Sequence, residues 1–126
     1  MTSWRWLSPA LIYALHDRQL AEHGGLDGIR DKGLVESALT RPKHLATYQN
    51  PDAADLAAAY AYGLARNHGF VDGNKRTAWI AARVFLADQG LQLTFEKSAA
   101  VSTMERVAGG TMSESELATW FRKHLG

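Results

Sequence analysis

The chain has no cysteine. Disulfides and thiolate-bound zinc are therefore excluded, only oxygen and imidazole remain as metal ligands, and the absence accords with a reducing cytosol. An excess of one charge is missing too. With 14 basic and 13 acidic residues the net charge is +1, which gives no general electrostatic reason to bind nucleic acid or an anionic membrane. Any cationic site has to be local. No apolar run is long enough to span a bilayer, because the longest, Leu56 to Ala65, is about half of the roughly 20 residues required. The start, Met1-Thr2-Ser3-Trp4-Arg5-Trp6, is not followed by a signal-like apolar stretch with a small-residue cleavage site, so a soluble cytoplasmic protein is expected. Repeats, low-complexity tracts and linkers are lacking, and 126 residues with 46% hydrophobic content predict one domain, 1–126, around one core.

The few prolines mark helix boundaries. Ser8-Pro9 reads as an N-cap followed by proline at the first helical position, and Leu11, Ile12, Leu15 and Leu20 keep helical spacing until Gly24-Gly25. Asp31 is placed to cap a second helix through Leu34, Val35, Ala38 and Leu39. It is expected to stop at Arg41-Pro42, since a residue before proline disfavours helix. Residues 42–50 then read as a loop. Asn50-Pro51 repeats the cap-and-proline signal, and Ala53 to Arg66 is apolar around most of its circumference, as a central helix would be. Ala78, Trp79, Ile80, Ala82, Val84, Phe85 and Leu86 predict another buried helix, ending at Gln89-Gly90. Leu91 to Phe95 alternates weakly, too short a stretch to build a sheet on. Ser98 to Ala108 and Ser113 to His124, the latter with a Ser113/Glu116 capping box, complete an all-α fold.

Between the two buried helices lies His68-Gly69-Phe70-Val71-Asp72-Gly73-Asn74-Lys75-Arg76, a base, a carboxylate, a glycine turn and two cations within one connector. The helices form an αα-hairpin, and the free N–H groups and positive dipole end of the second face the connector and attract anionic oxygens. His68 is a candidate general base near neutral pH; a lone histidine is usually structural, but the neighbours raise its standing. Asp72 has two roles open to it, ligand to Mg²⁺ and N-cap of the following helix. Magnesium takes few protein carboxylates, so one aspartate suffices when a nucleotide supplies phosphate oxygens. Gly73 shapes a turn and lets a backbone N–H approach phosphate, while Asn74 either caps the helix or bonds loop backbone. Lys75 and Arg76, if merely solvated, would oppose the helix dipole, so an anion is expected to compensate them. Phe70 reads as a core plug anchoring the connector. His16, His23, His44 and His124 are scattered without metal-ligand spacing and read as surface or packing residues. Trp4, Trp6, Trp79 and Trp120 lack basic interleaving and fit helical core positions rather than base stacking.

At these residues the chain resembles the Fic/Doc superfamily, whose loop runs histidine, any residue, phenylalanine, any residue, aspartate or glutamate, a small residue, asparagine, glycine or lysine, and arginine. Lys75 in place of glycine is similar to the Doc, or death-on-curing, branch of bacterial toxin–antitoxin modules. Leu7-Ser8-Pro9, Leu15-His16-Asp17 and Gly24-Gly25-Leu26-Asp27-Gly28-Ile29-Arg30-Asp31 extend the resemblance over nearly the whole chain. It implies a compact bundle of about six helices with the motif at the start of a central helix. For the site it implies that His68 acts as general base, that Asp72 holds Mg²⁺, and that Gly73, Asn74, Lys75 and Arg76 bind the phosphates of ATP. The glycine-bearing branch transfers AMP, whereas the Doc branch implies transfer of the terminal phosphate to a threonine of elongation factor Tu, stopping translation in a bacterial cytoplasm. Gly73 matches the AMP-transferring pattern, and Gly69 departs from the proline frequent there. No glutamate is followed by the glycine or asparagine of an inhibitory helix, so the resemblance implies inhibition in trans by an antitoxin, and residues 42–50 are a candidate target-docking flap. The alternatives are a protein AMP transferase and a helical interaction module without catalysis.

Overall fold

The computed structural model describes residues 3–126. They form six helices, α1 Pro9–His23, α2 Lys32–Tyr48, α3 Ala53–Asn67, α4 Asn74–Asp88, α5 Lys97–Gly109 and α6 Glu114–His124. Side chains start four of them by accepting an otherwise orphaned N–H: Ser8 from Leu11, Asp31 from Leu34, Asp52 from Asp55 and Ser113 from Glu116. The capping box expected at Ser113/Glu116 is present. The cap of α3 is Asp52 rather than Asn50, because a second capping box closes between Asp52 and Asp55.

α3 packs against α2, α4, α5 and α6. Its alanines let these neighbours approach from several sides, and Ala57, Ala58, Ala59, Tyr60 and Ala61 lose all contact with solvent. Gly63 marks the closest approach to α2, where an added Cβ would lie 3.1 Å from the Cβ of Ala38. α4 completes the hairpin and buries Ala78, Ala81, Ala82, Phe85 and Leu86. Tyr60 tilts against Phe85 and its hydroxyl accepts the Leu7 N–H at 3.0 Å, tying the segment before α1 to the hairpin. Trp4 and Trp6 belong to that extended segment, not to a helix, and pack beside Phe85. Trp79 and Trp120 lie on helices as expected, half-buried and edge to face.

The helix predicted to stop at Arg41-Pro42 runs on to Tyr48 with Pro42 inside it. Proline in a helix interior removes a hydrogen bond and crowds the preceding turn, a penalty of about 3 kcal/mol. Tertiary contacts offset it. Pro42 is buried, Arg41 pairs with Glu114 of α6 and lies over the Tyr62 ring, and Gln49 N–H reaches the Leu45 carbonyl at 2.9 Å to close the last turn. The stretch expected to be an open flap is thus helical for most of its length. Leu91 to Phe95 is not a strand; its single pairing is an isolated antiparallel bridge from Leu93 to Leu125.

Candidate active site

The motif connector is pinned at nearly every residue that does not carry a reactive side chain. α3 ends at His68, which adopts the left-handed conformation with φ 51° and ψ 46°. It is the only described residue other than glycine with positive φ. The reversal leaves the imidazole exposed. Gly69 follows at a place with no room for a side chain: a Cβ there would lie 2.4 Å from Val35 Cγ2 and 3.0 Å from the Val35 nitrogen. Its carbonyl accepts two N–H groups, from Arg30 at 2.8 Å and Asp31 at 3.0 Å. Val71 N–H donates to the Gly28 carbonyl at 3.0 Å, and Ile29 and Phe70 form an antiparallel bridge. The glycine-rich segment after α1 therefore runs beside the connector and holds it.

Phe70 is the expected plug, 2% exposed. Asn74 grips its backbone at both ends, with Oδ1 accepting the Phe70 N–H at 3.1 Å and Nδ2 donating to the Phe70 carbonyl at 2.9 Å. Of the two roles open to Asn74, bonding the loop is the one observed. The Phe70 ring lies edge-on to Tyr13 and face-on to His16, with centroids 3.7 Å apart and planes 10° from parallel.

Asp72 does not cap α4. The N-cap is Gly73, in the left-handed conformation with φ 76°, and no side chain accepts from the first turn. The Asp72 carboxylate instead accepts the Leu26 N–H on Oδ2 at 3.1 Å and the Gly73 N–H on Oδ1 at 2.8 Å. The Leu26 bond holds its carboxyl below the ordinary range, followed by the Gly73 bond, and the nearby Arg76 charge acts in the same direction. It stays ionised at neutral pH. Each carboxylate oxygen has a second lone pair, the group is exposed, and no cluster of three ligand-type side chains exists among the described residues. This donor set fits a hard cation that takes most of its ligands from water and phosphate, as Mg²⁺ does.

Lys75 and Arg76 occupy the first turn of α4, both exposed, and neither enters an ion pair among the described residues. His68, Asp72, Lys75 and Arg76 thus stand on one short reversal beside a helix start that no side chain caps. The Fic/DOC family model matches residues 6–86. Among the curated relatives, "Protein kinase doc" of Escherichia phage P1 is 34% identical over 123 residues, covering 97% of each chain. "Toxin Doc" of Mycolicibacterium smegmatis is 47% identical over 91 residues, covering 68% of each.

The chain belongs to the Fic/Doc family.

Within this Fic/Doc domain the structure adds residues that spacing did not single out. Of the two readings of His16, surface or packing, the structure shows packing: it is 2% exposed, and its Nε2–H also donates to the Asp72 carbonyl at 2.8 Å. Its sequence signal is its place in the Leu15-His16-Asp17 segment of the family resemblance, and in the structure it shares a buried face with Ile12 and Gln19. Gly25 is the second addition. Its φ of +126° suits glycine, and a Cβ would come within 2.8 Å of Asp72 Oδ2. The backbone there passes directly over the carboxylate. Gly69 and Gly73 are both accounted for by backbone geometry within this Fic/Doc domain, one by the close approach of Val35, the other by its positive φ. Neither needs a branch-specific role to explain it.

Proposed function

We propose that this Fic/Doc protein is a Doc-type toxin that transfers the terminal phosphate of ATP to a Ser/Thr hydroxyl, a threonine of elongation factor Tu, and so arrests translation. The observation that carries the proposal is the α4 start. Two cations sit on an exposed first turn that no side chain caps, where the dipole already favours an anion. The names of the two relatives, a protein kinase and a toxin, support the same reading.

The residues divide the work. Lys75, Arg76 and the free N–H groups of the first turn bind and orient the phosphates, and the pinned connector keeps that cradle from rearranging as charge moves. His68 accepts the proton of the acceptor hydroxyl at a ring nitrogen. The hydroxyl oxygen forms a bond to the terminal phosphorus while the bond to the bridging oxygen breaks, and ADP leaves. Asp72, kept ionised by two backbone N–H groups, is the residue that would hold Mg²⁺. Bound there, the ion would neutralise phosphate charge. We further propose a cytoplasmic site of action and inhibition by an antitoxin whose chain covers the exposed connector.

AMP transfer is the rival chemistry, and its sequence support rests on Gly73. The left-handed turn at Gly73 favours glycine for a geometric reason of its own, which weakens that support. Lys75 remains the residue that distinguishes the branches. Purified protein incubated with MgATP and elongation factor Tu, with His68→Ala as control, tests the proposal by intact mass of the factor. A His68-dependent gain of one phosphate is expected. A gain of AMP replaces the kinase by the transferase, and no gain points to another target or to a non-catalytic module.

A further inference from the structure

We propose that His16 is a positioning residue for the site, a ring that fixes the Asp72 peptide and through it the direction of the Asp72 carboxylate. The proposal rests on the phosphotransfer reading for its kinetic test only.

A buried polar ring requires a reason, because a leucine would fill the space without desolvating two nitrogens. Here the reason is at hand. The imidazole is 2% exposed and touches the connector in three places. It stacks on Phe70 at 3.7 Å, donates to the Asp72 carbonyl at 2.8 Å, and underlies Gly73, where a Cβ would lie 3.7 Å from its Cδ2 and Nε2. The acceptor is a carbonyl, which cannot donate, so the proton sits on Nε2.

The Asp72 peptide matters because both oxygens of its carboxylate are committed by short reach. Oδ1 accepts from the very next residue and Oδ2 from Leu26 on the opposite segment. The Asp72 carbonyl and the Gly73 N–H lie in one rigid peptide plane, so holding the carbonyl also fixes the direction of the N–H that donates to Oδ1. α1 packs directly on α4, so a ring rooted in α1 references the carboxylate to the helix that carries Lys75 and Arg76. No other side chain bonds to the Asp72 carbonyl among the described residues. Groups that orient a ligand in this way typically change affinity or activity by about 10- to 100-fold when removed.

Two substitutions separate the donor from the stack. His16→Gln retains an N–H donor at about the reach of Nε2, and His16→Phe retains a flat ring without a donor. The wild-type protein and both variants, labelled with ¹⁵N, are compared at one pH for thermal midpoint, for the Leu26 and Gly73 amide signals, and for steady-state phosphate transfer from MgATP to elongation factor Tu. The wild-type ring should show the Nε2–H tautomer. His16→Phe should displace the Leu26 and Gly73 amides and lower kcat about 10- to 100-fold, with KM for the factor unchanged, and His16→Gln should recover most of both. A wild-type Nδ1–H tautomer overturns the proposal whether or not the variants fold. So does a His16→Phe protein with wild-type amides and kcat, or equal impairment in both variants. If the wild-type protein transfers no phosphate, the phosphotransfer reading fails, while the tautomer and the two amides still decide the role of His16.

Discussion

The central hairpin begins its two helices in opposite ways. At the start of α3 side chains do the capping: Asp52 and Asp55 exchange bonds, and Arg122 of α6 reaches both carboxylates, at 2.8 Å and 3.0 Å. At the start of α4 no side chain does so, and the charges placed there, Lys75 and Arg76, have the sign that the helix dipole repels. The two helices share one core and one connector, so packing does not explain the contrast. α5 also starts without a side-chain cap, so it is the two adjacent cations together with the bare start of α4 that suit the phosphates of the proposed function.

Breaking the open end should affect activity far more than stability. His68→Ala is expected to reduce phosphate transfer by about 10² to 10⁴ without lowering the thermal midpoint, as measured by intact mass and calorimetry. Because His68 is held at φ 51°, His68→Gly should reduce transfer as much as His68→Ala and stabilise the fold by about 1 kcal/mol, which denaturant titration reads directly. A histidine less stable than glycine at its own position would show that stability is given up there for chemistry.

Gly69→Ala tests whether the connector tolerates any displacement. The new Cβ would fall against Val35, and an overpacked site of this kind should lose about 1–3 kcal/mol by urea unfolding. At the satisfied end, Asp52→Asn should cost about 1 kcal/mol. The pH dependence follows. The Arg122 hydrogen bond, with help from Asp55, holds Asp52 down at about 2. A depressed carboxyl contributes stability above its unfolded value, near 3.9, and that contribution disappears as pH falls from about 4 towards 2. The difference in stability between wild type and Asp52→Asn should shrink over that window. The smallest effect is the most telling: Lys75→Glu, which corrects the charge at the open end, should stabilise the protein by about 0.3–1 kcal/mol while weakening ATP binding in calorimetry. If it destabilises instead, the contrast between the two helix starts is not electrostatic.

Helix starts were legible where one residue carries the signal, as Ser8, Asp31 and Ser113 do. Pro42 misled because its penalty is local and the contacts that offset it, to Glu114 and Tyr62, come from other helices. The clustering of candidate groups on the connector was visible in the sequence, whereas the choice between a cap and another role for Asp72 needed the carboxylate's turn to Leu26. What spacing does not convey is the company these groups keep. His16 and Asp72 are 56 positions apart, and a histidine in a helix looks the same in sequence whether it faces water or a motif. The glycines at 25 and 69 were visible as letters, but the reason for each is a backbone passing close by.

The seam between the connector and the segment after α1 joins Ile29 to Phe70, 41 positions along the chain. The α3–α4 hairpin is built from near neighbours and can form early, whereas closing so long a loop must await a hairpin to close upon. The face that carries the motif is therefore expected to assemble after the hairpin, and a chain caught between the two stages is a helical hairpin without a finished site.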